Sequence, residues 1–363
     1  MSRHTGDAGR VEVEPMPGYV DFITRASSVW VGVWRDCGNC GVELSTRTLL
    51  DNAYITWTEV ALFFFCTYLW TLVRRGLTEC LFMPLAHWCR LMPKDAAKMP
   101  ESAWKLVFYT MSWSYSTYLL FFSSYSFFHD PPSVFYNWKS GMPVPTNIAI
   151  AYLMQGSFYA HSIYATFYMD TWRKDSAVMV VHHIITLALI SFSYAFRYHN
   201  VGILVLFLHD IGDIQLEFIK LNIYLKSRGG GYHRLNDILS DVVSVSFSIT
   251  WFLFRLYWFP LKVLFTTCVS SLQFVPNIPF YFFFNALLFM LLLMNIYWFL
   301  FIVVFIVKVL KMKEVNDVRE YEDSSLAAAR LHRDPRAENG DDVGHHSAAQ
   351  GKHVQNGVKE KSL

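Results

Sequence analysis

Long apolar runs recur along the chain at 54–73, 104–122, 147–168, 177–196, 201–220, 238–258 and 285–309. Each reaches or approaches the roughly 20 residues that an α-helix needs to cross a bilayer. The pattern predicts an all-α multi-pass membrane protein of about seven transmembrane helices. Several runs carry polar residues among the apolar ones, the third and fifth among them. Pro143, Pro145, Pro260 and Pro279 fall outside the runs, where helix boundaries are expected.

Composition agrees with this pattern. Hydrophobic residues make up 53% of 363 and charged ones 17%, against about 25% charged in soluble domains. The mean hydropathy of +0.27 is diluted by two polar ends. The net charge of +2 says little, and no basic block points to nucleic acid. No apolar stretch follows the first basic residues, so no cleavable signal peptide is visible. No N-x-S/T sequon and no internal repeat occurs.

The placement of Lys and Arg is more informative. Arg74, Arg75, Arg90, Lys94 and Lys98 fill the 74–103 connection, with Arg173 and Lys174 in 169–176. Lys226, Arg228 and Arg234 lie in 221–237, and Lys308, Lys311 and Lys313 close the last run. The 123–146 connection has a single lysine, and 197–200 has only Arg197. Basic connections favour the cytosol, which predicts a luminal N-terminus and a cytosolic C-terminus. The expected organisation is a luminal tail at 1–53, a membrane domain at 54–310 and a disordered, cytosolic polar tail at 311–363. The tail ends in "KEKSL", with Lys359 and Lys361 spaced as in dilysine signals. Such a signal is read by COPI-type retrieval machinery and predicts an endoplasmic reticulum membrane address.

The six cysteines form no framework. Cys37 and Cys40 make a lone "CGNC" without a second ligand pair, so zinc is not expected there. Cys66, Cys80, Cys89 and Cys268 read as small apolar fillers.

Candidate chemistry lies in the fourth and fifth runs. "AVMVVHHIITLALISF" places His182 and His183 inside an apolar segment. In "NVGILVLFLHDIGDIQLEFIKL", Asp210, Asp213 and Glu217 stand at i, i+3 and i+7 on one helical face. His209 reaches Asp213 at i+4. Ionisable residues within spans face a bundle interior or a wet cavity. His182 lies roughly 8 Å into its span from the cytosolic side, Asp213 roughly 10 Å and Asp210 roughly 15 Å. The short connection makes the two helices antiparallel neighbours, so histidines and carboxylates meet at similar depth. Adjacent helical residues point about 100° apart, so one histidine addresses a given atom and the other orients it or pairs with the acidic helix. A histidine with a carboxylate partner can serve as a general base or as a nucleophile that accepts an acyl group. Metal oxidation sites in membranes need many more histidines than His182, His183 and His209 offer, so no metal is expected.

Other polar faces carry less weight. Gln155, Tyr159 and Ser162, with His161 alongside, and Asp241, Ser244 and Ser248 read first as interhelical contacts. Asp241, near the cytosolic end, is a candidate cavity residue. Glu59 is expected near the luminal interface.

The segment from His182 to Tyr224 resembles the Lag1 motif of ceramide synthases, within the TRAM–Lag–CLN8 fold. The likeness rests on the His-His pair and the His209-Asp210-x-x-Asp213 cluster some 27 residues later. "AAKMPESAWK", "HDPPSVFY", "YATFYMDTWRKDS" and "RLYWFPLKV" extend it over roughly 90–310. The short 74–103 connection looks most like the vertebrate type-1 branch. One departure is Gly212, where the family commonly has serine; it leaves both carboxylates intact.

The resemblance implies acyl-CoA-dependent N-acylation of a sphingoid base in the endoplasmic reticulum, with a type-1 preference for stearoyl-CoA. It implies His182, His183, Asp210 and Asp213 at the reacting centre, with an acyl-histidine at His182 or a histidine base as alternatives. His209, Glu217 and Asp241 are supporting candidates. Arg173, Lys174, Lys226, Arg228 and Arg234 are candidates for the CoA head group. Above the histidine about 20 Å of a roughly 30 Å membrane core remains for an acyl tunnel, and the luminal connection around 261–284 is expected to close it. No cofactor beyond acyl-CoA as co-substrate is implied. Expected partners are the two lipid substrates, membrane lipids, the retrieval machinery and a second ceramide synthase in a homo- or heterodimer. A non-catalytic lipid sensor or carrier of the same fold and a seven-span receptor stand as alternatives.

Overall fold

The computed structural model describes residues 16–36, 46–173, 175–275 and 278–312, and all regular elements among them are helical. The CGNC pair, Lys174 and everything from 313 onward, including the dilysine, lie outside the described residues.

The segment read as an N-terminal tail contains α1 (Tyr19–Asp36) and the short α2 (Thr46–Asn52). Phe22, Ala26 and Trp30 share one face of α1 at four-residue spacing. That face is held to the rest of the bundle: Phe22 stacks on Phe289, and Trp30 meets Phe282 and Phe289 edge-on. α3 (Trp57–Leu77) begins at a capping box, in which the Thr56 N–H donates to Glu59 at 2.7 Å and the Glu59 N–H donates to the Thr56 hydroxyl at 3.3 Å. Glu59 is thus a helix-end residue. A π-helical turn, Thr78–Phe82, carries the chain into α4 (Met83–Trp88).

α5 (Pro93–Phe121), α6 (Thr146–Tyr168), α7 (Ser176–Ala195) and α8 (His199–Leu225) follow, then α9 (Arg234–Trp251). α9 does not end near 258 as its apolar run suggested. It continues as π-helix over Phe252–Leu264 and Thr266–Ser270 into α10 (Ser271–Phe274). Pro260 therefore lies inside a helix, and the expected 261–284 connection shrinks to 275–280. The wider π turn accommodates the proline: the Phe265 N–H donates to the Pro260 carbonyl five residues back. α11 (Tyr281–Met312) completes the described chain.

Among the described residues, four helical segments are long and apolar enough to cross a membrane by length and composition alone: Trp57–Trp88, Ser176–Ala195, Arg234–Phe274 and Tyr281–Val307. α5, α6 and α8 carry buried polar side chains such as Ser112, Gln155, Asp210 and Glu217, which lower their hydropathy. The protein is an all-α membrane protein.

α8 packs chiefly against α5 and α9, α6 against α3 and α7, and α11 against α7 and the π-helical segment. The α7–α8 turn is three residues long, with Arg197 in the left-handed region at φ 66. Trp138 Nε1 donates to the Arg197 carbonyl at 3.0 Å, and the guanidinium lies over the rings of Tyr54 and Tyr194, fixing the turn. Gly202 is required where α8 meets α6, because a Cβ there would fall 1.7 Å from the Tyr152 hydroxyl. That hydroxyl instead bonds Ser193 at 2.9 Å, tying α6 to α7.

At the opposite end of α7, ion pairs hold the α6–α7 connection. Asp170 accepts from Arg74 of α3 and from Lys105 of α5, the latter at 3.4 Å. Glu101 accepts from Lys105 at 2.6 Å and Arg173 at 3.1 Å. Removing one member of this largely shielded set strands the others, so it holds the approach to α7. Among the described cysteines Cys268 is buried, Cys66 and Cys89 are half-buried and Cys80 is exposed. Cys268 is more than a filler, since its Sγ donates to Asn285 Oδ1 at 3.1 Å.

Candidate active site

The tight α7–α8 turn brings the start of α7 beside the middle of α8. A cavity opens there between α6, α7, α8, the π-helical segment and α11. Its polar end is lined by Tyr159, His182, His209, Asp213 and Arg255.

The two adjacent histidines take different places. His182 faces the cavity, edge-on to Trp298 with ring centroids 5.2 Å apart. Its Nδ1 is buried and has no hydrogen-bond partner among the described residues. His183 is buried beside it, turned to the Tyr159 ring at 5.8 Å, and does not line the cavity. The helical offset between neighbours produces this division.

The carboxylates divide as well. Asp213 lines the cavity and accepts from Arg255 Nη2 at 3.2 Å. Asp210 is fully buried off the cavity, where its Oδ2 accepts from Ser112 at 2.7 Å and Gln155 at 2.6 Å. It is a node joining α5, α6 and α8 and does not touch the cavity. The expected His209–Asp213 contact is not made. His209 Nδ1 stands 2.8 Å from the Val205 carbonyl, which can only accept, so Nδ1 carries the proton. Nε2 then accepts from Asn295 Nδ2 at 3.0 Å. Both ring nitrogens are engaged, and His209 is a fixed neutral wall residue.

Arg255 is the residue that ties this end together. Its Nη2 donates to the His209 carbonyl at 2.6 Å as well as to Asp213, and its guanidinium lies 3.9 Å from the Trp251 ring. A single arginine in the apolar run 238–258 is the sequence signal that identifies it, since charges in spans face partners or water. Ser112 and Asn295 carried no such signal; a serine and an asparagine in apolar helices gain meaning only through their partners.

The remaining candidates do not join the site. Glu217 is buried and paired with Lys220 at 2.8 Å, away from the cavity lining. Asp241 is exposed on α9 and lines nothing there. Arg173 is engaged with Glu101, Lys226 with Asp237 at 3.4 Å and Arg228 with Asn236 at 2.9 Å, while Arg234 is exposed. Among the described residues no group of three or more His, Cys, Asp or Glu is placed to hold a metal ion.

Beyond the polar end the cavity runs along α7 past Leu189 to Ser193 and along α11 past Leu291 and Leu288. Phe135, Tyr198 and Pro279 line its other end. From His182 to Ser193 the helical rise gives a length of about 16 Å. The walls are mostly apolar and suit an extended alkyl chain.

Residues 98–304 match the TLC domain family model, a span that contains His182, Asp213 and Arg255. A human protein, ceramide synthase 1, is 60% identical over 325 residues, which is 89% of this chain and 93% of that protein. The chain belongs to the ceramide synthase family. Mouse ceramide synthase 1 is 58% identical over 87% of this chain and 91% of its own length. The likeness extends to ceramide synthase LOH2 of Arabidopsis thaliana, 30% identical over 59% of this chain and 70% of that one. Membership of the ceramide synthase family makes the chain an acyltransferase, and the alternative of a seven-span receptor falls away.

Proposed function

We propose that the chain transfers a long-chain acyl group from acyl-CoA to the amine of a sphingoid base at the His182 end of the cavity, giving a ceramide or dihydroceramide. The observation that carries this reading is a half-buried histidine with a buried, unengaged Nδ1 at the head of an apolar channel, beside an Asp213–Arg255 pair.

The chemistry follows from those groups. An imidazole nitrogen of His182 attacks the thioester carbon, the C–S bond breaks, and CoA leaves as a thiol with the imidazole proton. The product is an acyl-imidazole, a reactive acyl donor. The neutral amine of the sphingoid base then attacks it, the C–N bond to histidine breaks, and the amine's proton returns to the imidazole. Asp213, held by Arg255, provides the charge that steadies imidazolium character on the way. Transfer through the enzyme lets CoA leave before the second lipid enters.

The remaining expectations are part of the same proposal. The basic connections favour a cytosolic α6–α7 end, with the phosphates of CoA in water near Arg228 and Arg234. The type-1 likeness favours stearoyl-CoA. The dilysine favours residence in the endoplasmic reticulum with the C-terminus cytosolic. Microsomes containing the protein, given labelled sphinganine and a set of acyl-CoAs, should form labelled dihydroceramide above the empty-vector level. Binding of both lipids without amide formation would favour the non-catalytic sensor or carrier instead.

A further inference from the structure

Thr186 is an exception among the hydroxyls of these helices. Buried serines and threonines in apolar helices commonly return their proton to the carbonyl four residues back. Ser162 does so to Phe158 at 2.9 Å and Thr166 to Ser162 at 2.8 Å. Thr186 Oγ1 is buried, with the residue 9% exposed, and has no hydrogen-bond partner among the described residues. It lines the cavity, one helical turn from His182 on the same side of α7. A hydroxyl left unsatisfied in a buried site costs stability, so its natural partner is a group brought in by a ligand.

The spacing selects the kind of group. Four residues separate Thr186 from His182 by about 6 Å along the axis, and a hydroxyl–hydroxyl hydrogen bond takes about 2.8 Å of it. A partner held by Thr186 therefore lies within a few ångströms of the group reacting at His182. That is the reach from an amine nitrogen to a hydroxyl on the adjacent carbon. An alkyl chain carries nothing polar there, whereas a 2-amino-1,3-diol places hydroxyls on both carbons flanking its amine. We infer that Thr186 reads a hydroxyl flanking the reacting amine and so selects 1,2-amino alcohols over simple long-chain amines. This rests on the N-acylation proposed above.

The test compares wild type, Thr186→Val and Thr186→Ser in microsomes with sphinganine, its 1-deoxy analogue and its 3-deoxy analogue, with one acyl-CoA held constant. Wild type should prefer sphinganine about tenfold or more in kcat/KM over the analogue lacking the hydroxyl that Thr186 reads. The valine variant, nearly equal in shape, should bring that ratio close to one, and the serine variant should keep it. A ratio unchanged by valine, or equal losses with all three amines, overturns the assignment, since Thr186 would then act on the acyl step or on packing alone. Failure of wild type to acylate sphinganine at all would instead overturn the N-acylation reading on which the assignment rests.

Discussion

Arg255 reaches Asp213 across 3.2 Å from a separate helix, inside a π-helical segment built mostly of aromatic and aliphatic residues. The same Nη2 donates to the His209 carbonyl, so one guanidinium fixes both the carboxylate and the α8 backbone at the cavity. Replacing it with Met should leave Asp213 without its counter-charge and cost about 3 kcal/mol of stability. N-acylation should fall about 100-fold. Activity and thermal unfolding of the detergent-solubilised Arg255→Met variant check this; full activity would show that Asp213 acts without its partner.

His182 and His209 both line the cavity, yet only His182 has a nitrogen without a partner. His182→Ala should reduce N-acylation about a thousandfold or more while the protein stays in the membrane fraction. His209→Gln keeps a side chain able to bond Val205 or Asn295 and should lose tenfold or less. Equal losses in the two variants, measured on membranes with matched protein levels, would contradict the division of roles.

Much of this was legible before the structure. The apolar runs located the long helices, and helical spacing put His182 and the α8 carboxylates at one depth. The missing part was which face each side chain takes. Asp210 and Asp213 share a helical face by spacing, but Ser112 and Gln155 draw one into the helix interface while Arg255 holds the other at the cavity. Those partners come from other helices at large sequence separation, beyond the reach of local periodicity. Pro260 misled for a different reason: proline ordinarily ends a helix, and the π geometry that admits it leaves no mark in hydrophobic spacing.

Gly212 stands where the resemblance to the Lag1 motif leads one to expect serine. A Cβ there would lie 3.4 Å from Arg255 Nη2 and 3.5 Å from Nε, which is ordinary contact. Arg255 Nε is buried and has no acceptor among the described residues. Gly212→Ser should supply one and raise stability by about 1 kcal/mol, adding helix propensity to the hydrogen bond. A higher unfolding temperature with activity retained is the expected result; a lower one would mean that the site has no room for the hydroxyl.

Channel length should set acyl length. Leu288 is buried and lines the cavity between the polar end and Pro279. Leu288→Trp should fill the middle of the channel and shift the products of a mixed acyl-CoA pool toward chains several carbons shorter, read by mass spectrometry of the ceramides. An unchanged chain-length profile would mean that the acyl chain lies elsewhere.

The central claim is that His182 carries the acyl group. The most direct measurement mixes purified protein with labelled long-chain acyl-CoA in the absence of sphingoid base and follows CoA release in a single turnover. A burst of free CoA approaching one equivalent, with label on a peptide containing His182 and no burst in His182→Ala, is the predicted result. No burst and no labelled peptide, in a preparation that forms dihydroceramide once sphinganine is added, would contradict it and leave His182 as a base for direct transfer.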